Sequence, residues 1–292
     1  MRGRERRGVF ARRSFDIPRP DAQGVYSLGP RLSDDAVRAL RAVGSIDRLS
    51  IGRGRLLTAK RTRPLLELPP TRWLWLWRDA TRAAIRRIVR IPELETLDVL
   101  SLCGPGALSG LEHATGLRTL RINGGLNACD FRGIAQCPSL EELGAQGAEL
   151  THRALDALLS VPRLRSLDLE GTRFDDTMAE RLGDAPALEW LEIGATRVTC
   201  AGLAQISRIE RLRGLDLWAT PLREDDYELL RRFPALEYVS LGGYDDAPLD
   251  GKTIVPLLLA LPAMKRVWLD GVTLDRDQIE TLEARFESVR IT

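Results

Sequence analysis

The sequence predicts an α/β solenoid in which each turn supplies one strand and one helical segment. Three observations carry this. Leucine-like residues recur in the frame L-x-x-L-x-L, starting at Leu94, Leu117, Leu140, Leu164, Leu188, Leu212, Leu236 and Met264. Successive starts lie 23, 23, 24, 24, 24, 24 and 28 residues apart, and a fixed period in this range marks stacked repeats. Third, a proline stands two residues before many of the starts: Pro92, Pro138, Pro162, Pro186, Pro234 and Pro262. Proline cannot continue a helix and presets an extended entry into the next strand.

Taken in order, residues 1–20 are arginine-rich, contain prolines, and read as a disordered N-terminal extension. Arg12-Arg13 with Phe15 has the spacing of a twin-arginine export signal, as Arg6-Arg7 offers another pair. The stretch that follows, DIPRPDAQG, is polar where an apolar segment belongs, which argues against export by that route. Residues 25–28 (VYSL), then Ser33 capping Ala36, Val37 and Leu40, make a first half-repeat. Looser frames start at Ile46 and Thr71. The unit at Leu94 replaces its helix with CGPGALSG, and the unit at Leu236 gains four residues around YDDAPLDG. A final frame, Phe286, Val289 and Ile291, ends on a strand. The expectation is a single repeat domain over 21–292 with ten or eleven parallel strands.

The unit Leu164 to Ala187 serves as the pattern. Leu164, Leu167 and Leu169 point inward, because strand side chains alternate. Gly171-Thr172 turns the chain, Phe174 returns to the core, and Asp175 caps a helix that buries Ala179 and Leu182. Thr151, Thr199 and Asp275 recur at the cap. Thr172, Thr196 and Thr220 recur after the strand, where a hydroxyl can bond the neighbouring turn's backbone. The segments LRSLDLEGTRFDD (164–176), LEWLEIGATRVT (188–199) and LRGLDLWATPLRE (212–224) resemble the leucine-rich repeat family, in its ribonuclease-inhibitor-like and bacterial forms. The resemblance covers 25–292. It implies a right-handed horseshoe with a parallel sheet inside the curve and helices outside.

All six tryptophans fall on outward places of the strands: Trp73, Trp75, Trp77, Trp190, Trp218 and Trp268. Interleaved with them are Asp98, Leu100, Glu142, Asp168, Glu170, Glu192, Asp216, Tyr238 and Asp270. Exposed aromatics are enriched at binding hot spots, and carboxylates among them favour a cationic partner. The alternative is an aromatic ladder in which neighbouring strands stack their own side chains.

The net charge of +2 conceals a polarised chain. Residues 1–90 carry 22 Arg/Lys against 8 Asp/Glu, and the remainder 21 against 33, so a solenoid keeps a basic end apart from an acidic body. Arg53, Arg55, Lys60, Arg61 and Arg63, with Arg82, Arg86, Arg87 and Arg90 on the next helix, form the basic region. Nucleic acid or an anionic membrane is the lesser reading, because no base-stacking motif or recognition helix accompanies the charge. Cys103, Cys129, Cys137 and Cys200 form no CxxC pair. They read as reduced thiols of a cytoplasmic protein, with Cys129 and Cys200 buried at one shared helical offset. His152 and Asp156 have helical ligand spacing, but His113 has no such partner and no third ligand is in view, and Asp245, Asp246 and Asp250 lack calcium-loop spacing. No apolar run approaches the ~20 residues of a membrane span. There is no P-loop, dinucleotide fingerprint, zinc-protease motif or nucleophile elbow.

The leading expectation is therefore a non-enzymatic module, without cofactor or metal, that binds a cationic protein or peptide on its concave face. More specific forms are an immunity or inhibitor protein masking a basic enzyme or toxin, and a secreted effector or substrate-receptor scaffold. Ribonuclease inhibitors, which the repeats resemble, use an aromatic and acidic concave face in that way.

Overall fold

A computed structural model describes residues 19–29, 32–183, 185, 187–243 and 248–292. Expectations for Arg6-Arg7, Arg12-Arg13, Pro186, Asp245 and Asp246 lie outside the described residues.

Each leucine frame forms a strand. The strands are β1 (Val25–Leu28), β2 (Ile46–Ile51), β3 (Thr71–Thr81), β4 (Thr96–Cys103), β5 (Thr119–Ile122), β6 (Glu142–Gly144) and β7 (Ser166–Asp168). They continue with β8 (Trp190–Glu192), β9 (Gly214–Asp216), β10 (Tyr238–Gly242), β11 (Leu249–Asp250), β12 (Arg266–Asp270), β13 (Val272–Thr273) and β14 (Ser288–Ile291). Twelve of them make one open, parallel sheet in chain order, and β11 with β13 forms a separate two-stranded pair. The sheet has one more strand than the sequence predicts at most. The half-repeat VYSL pairs in full with β2 and caps the first edge. The register shifts once, between β3 and β4 after Leu76, and from β4 to β10 it repeats without slippage: Leu143, Leu167, Leu191 and Leu215 are successive partners. These side chains, with Leu169, Ile193 and Leu217, are at most 1% exposed.

The outer layer holds α1 (Asp34–Arg41), α2 (Arg82–Ile88), α3 (Asp130–Ile134), α4 (His152–Leu159), α5 (Asp176–Leu182), α6 (Cys200–Ile206), α7 (Gly251–Leu259) and α8 (Arg276–Arg285). Ser33, Thr151, Asp175, Thr199 and Asp275 each accept a hydrogen bond from a first-turn N–H, as their spacing predicts. Asp250 likewise caps α7. The unit at Leu94 has only a 3₁₀ turn, Leu111–His113. Thr196 and Thr220 do not reach the neighbouring turn. Their hydroxyls donate to the carbonyls of Ile193 and Leu217 in the same unit, at 2.7 Å each, and Thr172 accepts from Phe174 N–H. The turn places a carbonyl three residues back within reach of the hydroxyl, so the bond closes inside the unit.

That turn has a left-handed residue at one fixed place: Gly147, Gly171, Ala195 and Ala219, with φ of 60°, 68°, 51° and 52°. Glycine adopts this conformation freely, whereas alanine does so at a cost of roughly 1–2 kcal/mol.

A charge ladder runs along the entry edge of the sheet. The second place of the frame reads Asp47, Arg72, Glu95, Arg118, Glu141, Arg165, Glu189, Arg213, Glu237, Lys265 and Glu287, alternating in sign throughout. The backbone N–H of each residue from Glu95 onward donates to the carbonyl of the one before, for example Glu95 to Arg72 at 2.9 Å and Glu237 to Arg213 at 2.8 Å. Their side chains pair across repeats: Arg72–Glu95 at 2.9 Å, Arg118–Glu141 at 2.6 Å, Arg165–Glu189 at 3.1 Å and Arg213–Glu237 at 2.7 Å. Exposed pairs of this kind are individually worth ~0–1 kcal/mol. A one-unit slip would set like charges opposite one another along the whole edge, so the ladder favours one register.

Where the Leu94 unit lacks its helix, a buried ion pair takes over. Arg82 grips Asp130 with Nε and Nη2, at 2.7 and 2.6 Å, and donates to the carbonyls of Gly104 and Gly125. Asp130 in turn accepts from Leu108 and Asn127 N–H. Arg82 is 6% exposed and Asp130 0%, so three successive units are pinned through one polar peg. This corrects the sequence expectation that Arg82 joins a basic surface. Arg86, Arg87 and Arg90 are exposed. Cys129 and Cys200 also depart from expectation. Both are exposed, because they sit at helix starts where the side chain leaves the core, and only Cys137 is buried. All four thiols are free.

Candidate functional site

The outward face of the sheet carries the predicted aromatic and acidic residues. Three parallel rows cross it. Trp73, Thr96, Thr119, Glu142, Ser166, Trp190, Gly214, Tyr238 and Arg266 form one, and Trp75, Asp98, Arg121, Gly144, Asp168, Glu192, Asp216, Ser240 and Trp268 the next. By the same frame the third holds Trp77, Leu100, Asn123, Gln146, Glu170, Trp218 and Asp270.

At the β3 end the three indoles stack along one strand. Trp73 and Trp75 have centroids 6.2 Å apart, and Trp75 and Trp77 4.6 Å apart, with planes within 26°. Trp75 and Trp77 remain 40% and 38% exposed, although stacking has covered part of each. Trp73 is held differently. Its Nε1–H donates to Asp98 at 2.5 Å, and Arg48 lies over its ring at 5.2 Å. Arg121 bridges Asp98 at 3.2 Å and Glu142 at 2.8 Å, leaving Asp98 only 7% exposed. Between these groups lies a pocket of about 240 Å³, walled by Trp73, Trp75, Trp77, Leu100, Arg121 and Asn123.

The second aromatic group is built around a gap. Gly214 stands between Trp190 and Tyr238, and a Cβ there would meet Trp190 Cε3 at 1.9 Å. Trp190 therefore lies across β9 and meets Tyr238 at 5.9 Å, while Arg266 covers both rings at 5.2 and 5.5 Å. Trp218 Nε1–H donates to Asp270 at 2.6 Å. Trp268 donates to Thr292, which donates to Asp270, and Arg290 lies 4.4 Å from the Trp268 ring. Sequence reasoning missed Arg48, Arg266 and Arg290 as covers for the indoles, and Gly214 as their gap. A glycine on an outward place beside a tryptophan was the available signal.

Between the aromatic groups the face is acidic. Asp168, Glu192 and Asp216 are direct partners on three consecutive strands, spaced by the ~4.8 Å of strand pairing. No ion pair involves them among the described residues. Asp168 and Asp216 accept the backbone N–H of Glu170 and Trp218, at 2.9 and 2.8 Å. Burial first, then the surrounding carboxylates, pushes Glu192 up to about 7. Burial raises Asp168, Glu170 and Asp216 in the same direction. The row is thus a partly desolvated acidic patch, hydrogen-bonded by Gln146 and Ser240 but without an ion-pair partner among the described residues.

Elsewhere, His152 Nε2 meets the Thr177 hydroxyl at 3.2 Å, and Asp156 pairs with Arg181. Among the described residues no group of three His, Cys, Asp or Glu is arranged to hold a metal, and no helix is long and apolar enough to cross a membrane.

No protein-family model matches the sequence, and no curated protein sequence matches it. Solved structures do. A leucine-rich repeat protein of Leptospira interrogans is similar with a TM-score of 0.52 and 13% identity, over 92% of this chain and 78% of that one. An internalin of Listeria monocytogenes, InlF, is similar with a TM-score of 0.50 and 15% identity, over 91% of this chain and 86% of that one. At these identities the likeness establishes the fold, a leucine-rich repeat solenoid.

Proposed function

We propose that this leucine-rich repeat solenoid is a non-enzymatic interaction module that binds a cationic protein or extended peptide on its open sheet face. The observation that carries the reading is the row Asp168, Glu192 and Asp216 on three consecutive strands, none of which has an arginine or lysine within ion-pair distance among the described residues. Ionised carboxylates out of water are costly unless paired, so an arginine or lysine brought by a partner stabilises both molecules. Trp73, Trp75, Trp77 and Leu100 supply an apolar anchor on one side, and Trp190, Trp218, Tyr238 and Trp268 on the other. Asp98 and Asp270 hold Trp73 and Trp218, Glu142 steadies the Arg121 that bridges to Asp98, and Glu170 extends the negative field. Five strand spacings, roughly 24 Å, separate β3 from β8, so a ligand touching both groups has the dimensions of a protein segment, not a metabolite.

The test uses Trp75→Ala and Glu192→Gln, each assayed for thermal melting and for capture of basic host proteins. Trp75→Ala is expected to melt close to the parent, because the indole is exposed, and to lose about 2 kcal/mol of binding, some thirtyfold in affinity. Folded protein with undiminished capture would mean that the indoles stack only on one another.

A further inference from the structure

The basic end contains a cavity that the sheet-face reading does not use. It measures about 950 Å³ and lies between α1, the loop that follows β2, and the second half of β3. Five cations line it, Arg55, Lys60, Arg61, Arg63 and Arg78, against one carboxylate, Asp34. Four of the cations are exposed at the rim, and Arg78 forms part of the wall at 4% exposure. Among the described residues none of the five is within ion-pair distance of a carboxylate.

Arg78 is the unusual member. Its Nε donates to the Gly52 carbonyl at 3.0 Å, and its Nη2 donates to the same oxygen. One neutral carbonyl thus serves two arms of a guanidinium that stays charged at any ordinary pH. Its Nη1 makes no hydrogen bond among the described residues. Burial holds the group below the usual arginine range. The loop carrying the other cations is fixed from behind, since Arg87 donates to Ala59 at 2.9 Å and Arg61 to Leu56 at 2.9 Å. Leu57 pairs with β3 beside Ala80 and anchors the loop to the sheet. The cations are therefore arrayed on a tied loop around a buried charge that lacks a counter-ion.

We propose that this cavity binds a small molecule bearing two or more phosphate groups, with Lys60, Arg61, Arg63 and Arg55 around the phosphates and Arg78 beneath them. The volume falls within the ~300–1,000 Å³ of small-molecule sites. Guanidinium forks match phosphate oxygens in pairs, and a single monoanion would leave most of the five cations unmatched. The charges converge on one concavity instead of spreading along a track, which favours a compact polyphosphate over a nucleic-acid backbone.

The experiment is calorimetric titration of the full chain with tripolyphosphate, pyrophosphate and orthophosphate at about 0.15 M salt. Affinity should rise with phosphate number. The double variant Lys60→Gln, Arg63→Gln should bind tripolyphosphate at least about tenfold more weakly, a loss of about 1.4 kcal/mol. It should melt with the parent, because both side chains are exposed. Vesicles of phosphatidylcholine with a bisphosphorylated inositol lipid distinguish the source. Sedimentation with them, reversed by tripolyphosphate, identifies a lipid headgroup, and binding of tripolyphosphate without sedimentation identifies a soluble ligand. The site is supported in either case. Absence of tripolyphosphate binding at about 1 mM, or equal affinity in the double variant, overturns the proposal. So does a short DNA duplex that binds through the same residues while tripolyphosphate fails to compete.

Discussion

Glu192 lies between Asp168 and Asp216 on the middle strand of three, and its carboxyl is pushed up to about 7 by burial and by those neighbours. In the unfolded chain the same group titrates near 4.5, so its ionisation opposes folding. That cost is fully present above the folded value and is relieved as pH falls from about 7 toward 4.5. The protein is therefore expected to melt higher at pH 5.5 than at pH 8, with a slope of at most ~1.4 kcal/mol per pH unit from this group. Asp168, Glu170 and Asp216, also raised, act in the same sense. Glu95 and Glu237, lowered by Arg72 and Arg213 respectively, lose their contributions only as pH falls further, through their own lowered values. Glu192→Gln should flatten the melting profile between pH 5 and 8, and an unchanged profile would remove the acidic row as its cause. A cationic partner should reverse the shift and release protons on binding near pH 7, so its affinity should rise with pH there.

At the scale of single elements, two irregularities make contrasting predictions. Ala195 and Ala219 occupy a left-handed turn that Gly147 and Gly171 fill without strain. Ala195→Gly is expected to raise the melting temperature, because relief of a strained φ outweighs the added freedom of the unfolded chain. A lower melting temperature would mean that the strain is small at this turn. The Arg82–Asp130 peg works the other way. Asp130→Ala leaves a buried guanidinium with carbonyl acceptors alone and strips Leu108 and Asn127 of their acceptor. Denaturant titration should register a loss of about 3–5 kcal/mol. The peg was hidden from sequence reasoning because its partners are 48 residues apart, and Arg82 sits in a run of arginines that resembles a solvated helix face.

For the molecule as a whole, the open sheet keeps its charges where the chain order puts them. Arg53 to Arg63 stay at one end, and the carboxylates of β6 to β9 remain together across the face. Exposed charges are screened over ~8–10 Å, so association of a cationic partner with this face should slow as salt increases. Stopped-flow rates that ignore ionic strength would argue against steering. The ladder from Asp47 to Glu287 acts at the same scale. Its members alternate in sign, and its backbone links repeat from unit to unit along the edge.

Periodicity alone determined the solenoid, its strand frame and its buried leucines, because each repeat solves the same local problem of hiding two side chains per strand. It also determined which side chains face outward, since alternation along a strand is independent of what lies across from it. Partnership was decided only in three dimensions. Whether Trp75 is exposed while Trp73 is tied to Asp98, and whether Arg266 covers Trp190 and Tyr238, depends on contacts between residues 24 or more positions apart. So does the burial of Arg82 against Asp130 and of Arg78 against Gly52. A charge, read from sequence, has the same sign wherever it lies, but its energy depends on the water and counter-charges around it, and these exist only once the repeats have stacked.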